Sequence, residues 1–368
     1  MATMAEAPVA QAPAPKDGPK VKKKLVRRAT TGRSQQLRHG FQAAFLVLNL
    51  YLGTVFYSWV RQFESGSHAA SARPPGVEGW LPIAGMMNFK YWLLTGKVPP
   101  VHPAAMFLLV TFVAISFLFR KAFCSWLCPI GTLSEMLASL GRKLFRRNFI
   151  IPRWLDVPLR GLKYLLLGFF LWAVYSMSAY ALAAFMHSSY GLIADVKMLN
   201  FFRHLDQTGL IVIGILVLGS VLIKNFWCRY LCPYGALLGF ASLLSPLRIR
   251  RTPPACIDCV KCTKACPANL PVHRLITIKS AECTGCLECV AICPAEGALG
   301  LHLPQCAGRR AVPAWAMAAG VAVVFCGVVG YAKLSGHWKT YVPDHVYQVL
   351  VPAADQVSHP MPGDEALK

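Results

Sequence analysis

Cysteine is the residue type whose spacing in this sequence indicates chemistry. The 368-residue chain has fourteen cysteines, and twelve of them fall at CxxC or CxxxC spacings. Such spacings are typical of thiolates that bind a metal or a cluster, and less typical of structural disulfides. Cys306 and Cys326 stand alone and are predicted to have no part in the chemistry.

Two cysteine runs carry the full pattern CxxCxxCxxxCP, "CIDCVKCTKACP" and "CTGCLECVAICP". In bacterial two-cluster ferredoxins, three cysteines of each run bind one [4Fe–4S] cluster and the fourth binds the other cluster. Two zinc sites of four cysteines each are the alternative. Zinc ribbons use paired CxxC elements, however, and do not need four-cysteine runs that end in CP. The spacing therefore predicts two clusters that pass single electrons, one held by Cys256, Cys259, Cys262 and Cys293, the other by Cys266, Cys283, Cys286 and Cys289.

A shorter pattern, CxxxCP, occurs twice more, in "FCSWLCPIG" (123–131) and "WCRYLCPYG" (227–235). Both copies end an apolar segment and share flanking aromatic and basic residues, which indicates an internal repeat. Positions i and i+4 share a face of a helix, so each copy is predicted to present two thiols on one side. If the copies pack together, four thiols converge: Cys124, Cys128, Cys228 and Cys232.

Three interpretations of these four cysteines stay open. They are small buried residues before a helix end that proline imposes, or redox-active dithiols that form strained, reducible disulfides. In the third interpretation, they form one site that holds a third cluster or a soft metal such as Cu(I), because thiolates select those species.

Composition indicates that membrane helices position these cysteines. Apolar residues make up 55% of the chain and charged residues 15%, which is typical of a membrane protein. Five apolar stretches have roughly the 20 residues that cross a hydrocarbon core, namely 41–60, about 103–122, 161–186, 209–227 and 312–334. The stretch 79–96 is interrupted by Pro, Lys and Gly, and is predicted to be interfacial or re-entrant, with Trp80, Tyr91 and Trp92 as anchors.

The net charge of +22 is explained by where Lys and Arg lie relative to the predicted spans. Lys and Arg number 9, 4, 9, 2, 11 and 3 in the six segments that the five spans separate, so 29 lie on one side and 9 on the other. The positive-inside rule places the richer side in the cytoplasm. The sequence thus predicts a multi-pass protein of the bacterial inner membrane, with the N-terminus and the ferredoxin region inside and the C-terminus outside. No nucleic-acid partner is predicted.

The predicted fold is an all-α membrane bundle of about five transmembrane helices with an inserted cytoplasmic two-cluster ferredoxin domain. Its parts are a disordered basic tail without a cleavable signal (1–38), four helices in two repeats that each end in CxxxCP (39–248), the tandem [4Fe–4S] domain (249–304), a fifth helix (305–334) and a short outer tail (335–368).

The paired CxxxCP motifs with tandem ferredoxin runs resemble the membrane-bound polyferredoxins. Members of that family include the quinol-dehydrogenase-type subunit of periplasmic nitrate reductase systems and the membrane iron–sulfur protein that serves nitrous-oxide reductase. The resemblance covers roughly residues 40–330 and implies electron transfer between the quinone pool and a reductase or maturation partner. This chain differs from the nitrous-oxide member in having no large flavin-binding domain ahead of the first span.

Two other functions stay open: a metal reductase or assembly factor that delivers electrons to copper, and a redox-sensing regulatory membrane protein. Whether the chain is itself a quinol dehydrogenase-like enzyme depends on a quinone site. Polar residues near the predicted outer loops are candidates for that site, although such residues are more often ordinary interface groups: His102, His187, Asp195 and Asp206.

Overall fold

The structure is a computed structural model that describes residues 33–66, 72–303 and 311–360. Most of the predicted N-terminal tail, residues 1–32, lies outside the described residues, as does Cys306. The described part is mostly helical, as predicted, with one two-stranded sheet.

Three helices of the described ranges are long and apolar enough to cross a membrane: α1 (Ser34–Glu64), α6 (Arg153–Ser176) and α15 (Ala314–Leu334). A fourth span results if α9 (Ala194–Arg203) and α10 (Gln207–Leu222), which are bent by 83°, are counted together. The predicted second span contains α3 (Pro103–Leu118), which is apolar but only 16 residues long. The fold is therefore that of a membrane protein with three to four candidate spanning helices.

The internal repeat is present in the order and the starting positions of the helices. In the first copy, α3 is followed by α4 (Ala122–Trp126) and α5 (Pro129–Phe145). In the second copy, α10 is followed by α11 (Phe226–Tyr230) and α12 (Pro233–Leu243). The three helix starts of the second copy, 207, 226 and 233, each come 104 residues after their counterparts, 103, 122 and 129.

The two copies occupy different environments. Helix α3 lies at the centre of the bundle, where α12 and α15 pack against it. Its Phe112 and Ile115 are buried in a core that also holds Met317 of α15 and Cys283 of the second cysteine run. Helix α10, in contrast, has mostly exposed apolar side chains. One continuous core thus joins the bundle to the cysteine-rich region.

The cysteine-rich region is framed by a small antiparallel sheet. Strand β1 (Arg248–Arg251) pairs with β2 (Leu299–His302), with Arg248 opposite His302 and Arg251 opposite Leu299. Both cysteine runs lie between the strands, with the short helices α13 (Lys261–Ala265) and α14 (Glu288–Ala291) and two 3-10 turns, 253–255 and 272–274. Pairing of its two ends closes the region into a unit.

The segment 79–96, predicted to be interfacial or re-entrant, forms a 3-10 turn (75–80) and helix α2 (Pro82–Thr95) packed against α3. The buried Lys90 of α2 donates hydrogen bonds to the carbonyls of Val174 and Tyr175, and also to that of Met177, at the end of α6. A cation at the C-terminus of a helix stabilises its last carbonyls. The lysine that interrupts the apolar pattern is thus a helix cap.

Short helices complete the end of the bundle near the start of α3. They are α7 (Ala179–His187), α8 (Ser189–Leu192), α16 (Asp344–Leu350) and a 3-10 turn at 354–356. Apolar residues of α16 and the 3-10 turn pack with α1 around Tyr347 and Trp59, whose rings lie 5.0 Å apart, whereas α7 packs against α2. This packing joins the C-terminal part of the chain to the first helix.

A buried ion network ties these elements together. The guanidinium of Arg73 contacts the carboxylates of Glu78 and Asp195, each at 2.7 Å, and donates to Thr340 at 3.1 Å. His102 donates from Nε2 to a backbone carbonyl, so its Nδ1, 3.1 Å from Arg73, accepts from the guanidinium. Burial alone would raise the pKa of Glu78, but the charge of Arg73 and a hydrogen bond from Thr340 lower it to about 2. His102 and Asp195, named above as quinone candidates, are therefore part of an ion-paired structural cluster.

Replacing Arg73 with methionine is expected to destabilise the fold by about 3–5 kcal/mol, because two carboxylates would stay buried without a cation. The melting temperature in detergent measures this loss. Arg61→Met is the control, since Arg61 is 59% exposed and its ion pair with Glu64 is expected to contribute less than about 1 kcal/mol. Equal melting temperatures for the two variants would show that the network does not stabilise the fold.

Candidate iron–sulfur sites

The two CxxxCP copies form the same loop. Cys124 and Cys228 lie within the short helices α4 and α11, whereas Cys128 and Cys232 are the residues that precede α5 and α12. The sequence predicted both cysteines of a copy on one helix face. In the structure the helix ends before the second cysteine, because a residue that precedes proline disfavours the helical conformation.

Backbone geometry shows how closely the loops agree. The N–H of Cys128 donates to the carbonyl of Phe123 at 2.9 Å, and that of Cys232 to Trp227 at 3.0 Å. Both cysteines have extended backbones, with ψ of 119° and 104°. Gly131 follows in the first copy, where a Cβ atom would lie 2.2 Å from the carbonyl oxygen of Cys124. Only glycine lets the start of α5 approach the first cysteine this closely.

The thiols of the two copies influence one another. They lie beyond the ends of the candidate spanning helices. Burial raises the pKa of Cys124 to about 11 and that of Cys128 to about 12, and Cys232 of the other copy acts in the same direction. Burial likewise raises the pKa of Cys228, to which Cys232, Cys128 and Cys124 all add. The thiols of the two copies are therefore close enough to act on one another electrostatically.

The thiol geometry bears on the three interpretations. All thirteen cysteines in the described part of the chain are free thiols. Among the described residues, no three or more cysteine, histidine or carboxylate side chains are close enough to share one metal ion. The eight ferredoxin cysteines also fail that criterion, although their spacing is typical of four-iron clusters. In this respect the four CxxxCP cysteines resemble the eight ferredoxin cysteines.

The second cysteine run lines an enclosed cavity. Four thiols face it, three from the second run and one from the first, together with apolar side chains from β1 and the intervening loops: Cys266, Cys283, Cys286, Cys289, Ile249, Leu270, Val272 and Ile278. These thiols are the set that the spacing assigned to one cluster. The lining of the cavity is mainly apolar, and an apolar shell of this kind limits the access of solvent to a bound cluster.

The other set lies nearer the surface. Burial raises the pKa of Cys262, and the neighbouring Cys293 and Cys256 add to the effect, so the fourth cysteine of the second run lies close to the first run. Cys259 of this set is exposed. The two sets therefore differ in depth. The set that contains Cys283 lies against the membrane bundle, and the set that contains Cys259 lies toward solvent.

Hydrogen bonds dock the second run directly on the first CxxxCP loop. Ser125 donates from Oγ to the carbonyl of Thr284 at 2.7 Å, and Trp126 donates from Nε1 to that of Gly285 at 3.2 Å. Arg120, just before the loop, donates to the carbonyl of Ser280 at 2.8 Å. The residues between the two membrane cysteines thus hold the loop between Cys283 and Cys286.

The second copy uses the same two positions differently. Arg229 and Tyr230, the counterparts of Ser125 and Trp126, bind the carboxylate of Asp156 at the start of α6, with distances of 2.6–2.9 Å. Sequence reasoning missed these four residues. The available signal was that "SW" and "RY" differ inside otherwise matching motifs.

A second contact joins the cysteine-rich region to α1 and α5. The buried Arg38 forms two hydrogen bonds of 2.7 Å with Glu135 and one of 3.1 Å with Glu288 of α14. Gln42 donates to Glu135 as well, and Gln35 donates to the carbonyl of Cys286. The start of α1, which the sequence included in the tail, is therefore part of the support around the second cysteine set.

Comparisons with known proteins agree with this geometry. A family model described as a 4Fe-4S binding domain matches residues 101–148 and 205–252, which are the two CxxxCP copies. A model described as a 4Fe-4S dicluster domain matches residues 248–294. YccM of Escherichia coli (strain K12), whose name describes it as an electron transport protein, is 49% identical to this chain. The match covers 90% of this chain and 93% of YccM. The chain belongs to the membrane polyferredoxin family of electron-transport proteins.

More distant relatives share the same core. The regulatory protein NosR of Pseudomonas aeruginosa is 31% identical over 56% of this chain, which corresponds to 28% of NosR. The ferredoxin-type protein NapH of Escherichia coli (strain K12) is 23% identical over 61% of this chain and 71% of NapH. No solved structure matches. The resemblance predicted from the motifs is confirmed, and the chain is an iron–sulfur electron-transport protein of the membrane.

Replacing Trp126 with phenylalanine is expected to loosen the docked loop. The carbonyl of Gly285 would lose its donor, at a cost of about 1–3 kcal/mol. Hydrogen exchange of the amides in 280–287 should then be at least about fivefold faster, which corresponds to about 1 kcal/mol. Tyr230→Phe is the matched control, because Tyr230 holds the equivalent position but binds Asp156. Unchanged exchange in Trp126→Phe would contradict the docking role.

Proposed function

We propose that this protein carries electrons between the quinone pool and a redox partner through iron–sulfur clusters arranged from the membrane to the surface. The observation that carries the proposal is the docking of the Cys283–Cys286 loop on Ser125 and Trp126 of the first CxxxCP loop. With this docking, we infer an order of three cysteine sets from the membrane to the surface: the CxxxCP quartet, the buried ferredoxin set and the exposed ferredoxin set. Such an order is what stepwise electron transfer requires.

The two ferredoxin sets are proposed to bind one [4Fe–4S] cluster each, with the ligands that the spacing assigns. The outer cluster takes Cys256, Cys259, Cys262 and Cys293, and the inner cluster takes Cys266, Cys283, Cys286 and Cys289. Bound clusters supply one-electron transfer. The chain itself excludes water from the inner set through Ile249, Leu270 and their apolar neighbours, and it leaves the outer set accessible to a reductase or maturation partner.

The quartet of membrane cysteines is proposed to hold a third cofactor, for which a [4Fe–4S] cluster is the best fit. Two observations support this assignment. The thiols of the two copies act on one another electrostatically, and a family model for 4Fe-4S binding matches each copy.

The predicted topology is retained as part of the proposal. In this arrangement five segments cross the bacterial inner membrane, the N-terminus and the ferredoxin domain lie in the cytoplasm, and residues 335–368 lie outside. The distribution of Lys and Arg, 29 against 9, supports it through the positive-inside rule. All three cysteine sets then lie on the cytoplasmic side, so quinone dissolved in the bilayer is the carrier that reaches the quartet.

Metal content tests the number of clusters. The purified wild-type protein is expected to contain about twelve irons and about twelve acid-labile sulfides, four of each per cluster. The variant Cys128→Ser/Cys232→Ser should contain about eight of each. A wild-type value of about eight would show that the quartet holds no cluster, and stoichiometric copper would favour the metal-reductase alternative.

Reoxidation kinetics test the quinone link. Protein reduced with dithionite under anaerobic conditions should be reoxidised by a short-chain quinone faster than by Cu(II). The variant Cys124→Ser/Cys228→Ser is expected to keep about eight irons and lose most of the quinone-dependent rate. If neither oxidant reoxidises the wild type, the redox-sensing alternative gains support, and full activity of the variant would limit the quartet to packing.

A further inference from the structure

We propose that Lys121 is a positioning residue for the quartet, a fixed buried charge that raises the reduction potential of the cofactor bound there. The inference rests on the proposed function, in which the quartet binds a cluster. It concerns a residue that neither the motif spacing nor the family models single out.

Lys121 is the residue just before α4, and its side chain is only 4% exposed. Its ammonium reaches across to the second copy. Lys121 Nζ and Cys232 Sγ each lie 3.5 Å from the position that a Cβ atom on Gly235 would take. Gly235 has no side chain, so the ammonium and this thiol both border the space that a Cβ atom would fill. The charge of Lys121 also acts on Cys124 of its own copy.

The charge of Lys121 is not neutralised by an ion pair. Within the residues that the structure describes, its ammonium forms no hydrogen bond or ion pair, whereas Lys163, the other buried lysine nearby, contacts Glu282 at 2.6 Å. Burial opposes ionisation of Glu282, and the two lysines together hold its pKa below the usual value. Two buried lysines thus share the single carboxylate of Glu282, and four thiolates with a cluster would supply negative charge for the cation that is left over.

The two copies of the internal repeat have different residue types at the position of Lys121. Its counterpart 104 residues later is Asn225, which has a left-handed backbone with φ of 54° and precedes α11. The second copy thus reproduces the loop without the charge. One ammonium lies beside a site to which each copy contributes two thiols.

The effect on the cofactor follows from electrostatics. Four thiolates give a [4Fe–4S] site a net negative charge, and reduction adds one more electron, so a nearby fixed cation stabilises the reduced form. Net charge and solvent exclusion are among the factors that set cluster potentials. In a buried site this interaction is weakly screened. Lys121 therefore favours acceptance of an electron at the quartet.

Redox titration of the full-length protein in detergent, followed by electron paramagnetic resonance, tests the proposal. Lys121→Met removes the charge while keeping similar length and packing. The reduction equilibrium of the third cluster should shift at least about tenfold toward the oxidised form, which is about 59 mV for one electron. Lys121→Arg should stay near the wild-type potential, and Lys143→Met, at an exposed position of α5, should not change it.

The outcomes separate this inference from the proposed function. An unchanged third potential in Lys121→Met, with about twelve irons present, would overturn the role of Lys121 and leave the three-cluster proposal intact. Loss of the third cluster in Lys121→Met but not in Lys121→Arg would support the need for a charge. Its loss in both variants would overturn the inference, and a wild-type protein with about eight irons would remove its basis.

Discussion

The architecture depends on what proline does after a cysteine. Pro129 and Pro233 cannot continue the hydrogen-bond pattern of the preceding helix, and each restricts the cysteine before it to an extended backbone. The chain therefore turns within the CxxxCP loop, and a new helix begins at the proline. This turn brings both thiols of a copy to one place and leaves the residues between them free to contact other parts of the molecule. The contacts of Ser125 and Trp126 with the second cysteine run depend on that turn.

Buried ion pairs then fix how the separate elements meet. Arg38 joins α1, α5 and α14, whereas Asp156 joins the start of α6 to the second CxxxCP loop. Lys163 joins α6 to the inner cysteine run. Charges inside a membrane protein are costly unless they are paired, so each pair specifies one arrangement of its helices strongly. Apolar packing alone would allow many more arrangements of similar energy.

Much of this molecule could be predicted from its cysteines. Their spacing predicted the two ferredoxin sets, and the structure places Cys266 with Cys283, Cys286 and Cys289 around one cavity. The repeat and the membrane character were likewise evident from motif and composition. The broken helices were harder to predict, because apolar periodicity continues through 103–122 although the chain turns at Arg120, whose φ is 62°. The role of Arg38 was missed because a basic residue ahead of an apolar span usually indicates topology, and only tertiary contacts show that it is buried.

The offset of 104 residues between the two copies has a consequence for how such a site can change. One copy supplies only two thiols, so the repeated unit alone could complete a four-thiol site only by pairing with an identical molecule. In such a homodimer every substitution appears on both sides at once. Joining the halves in one chain removes that restriction, since each half then varies independently. The two copies differ at three such positions: Ser125 and Trp126 correspond to Arg229 and Tyr230, and Lys121 corresponds to Asn225. These differences make the two sides of the duplicated structure unequal.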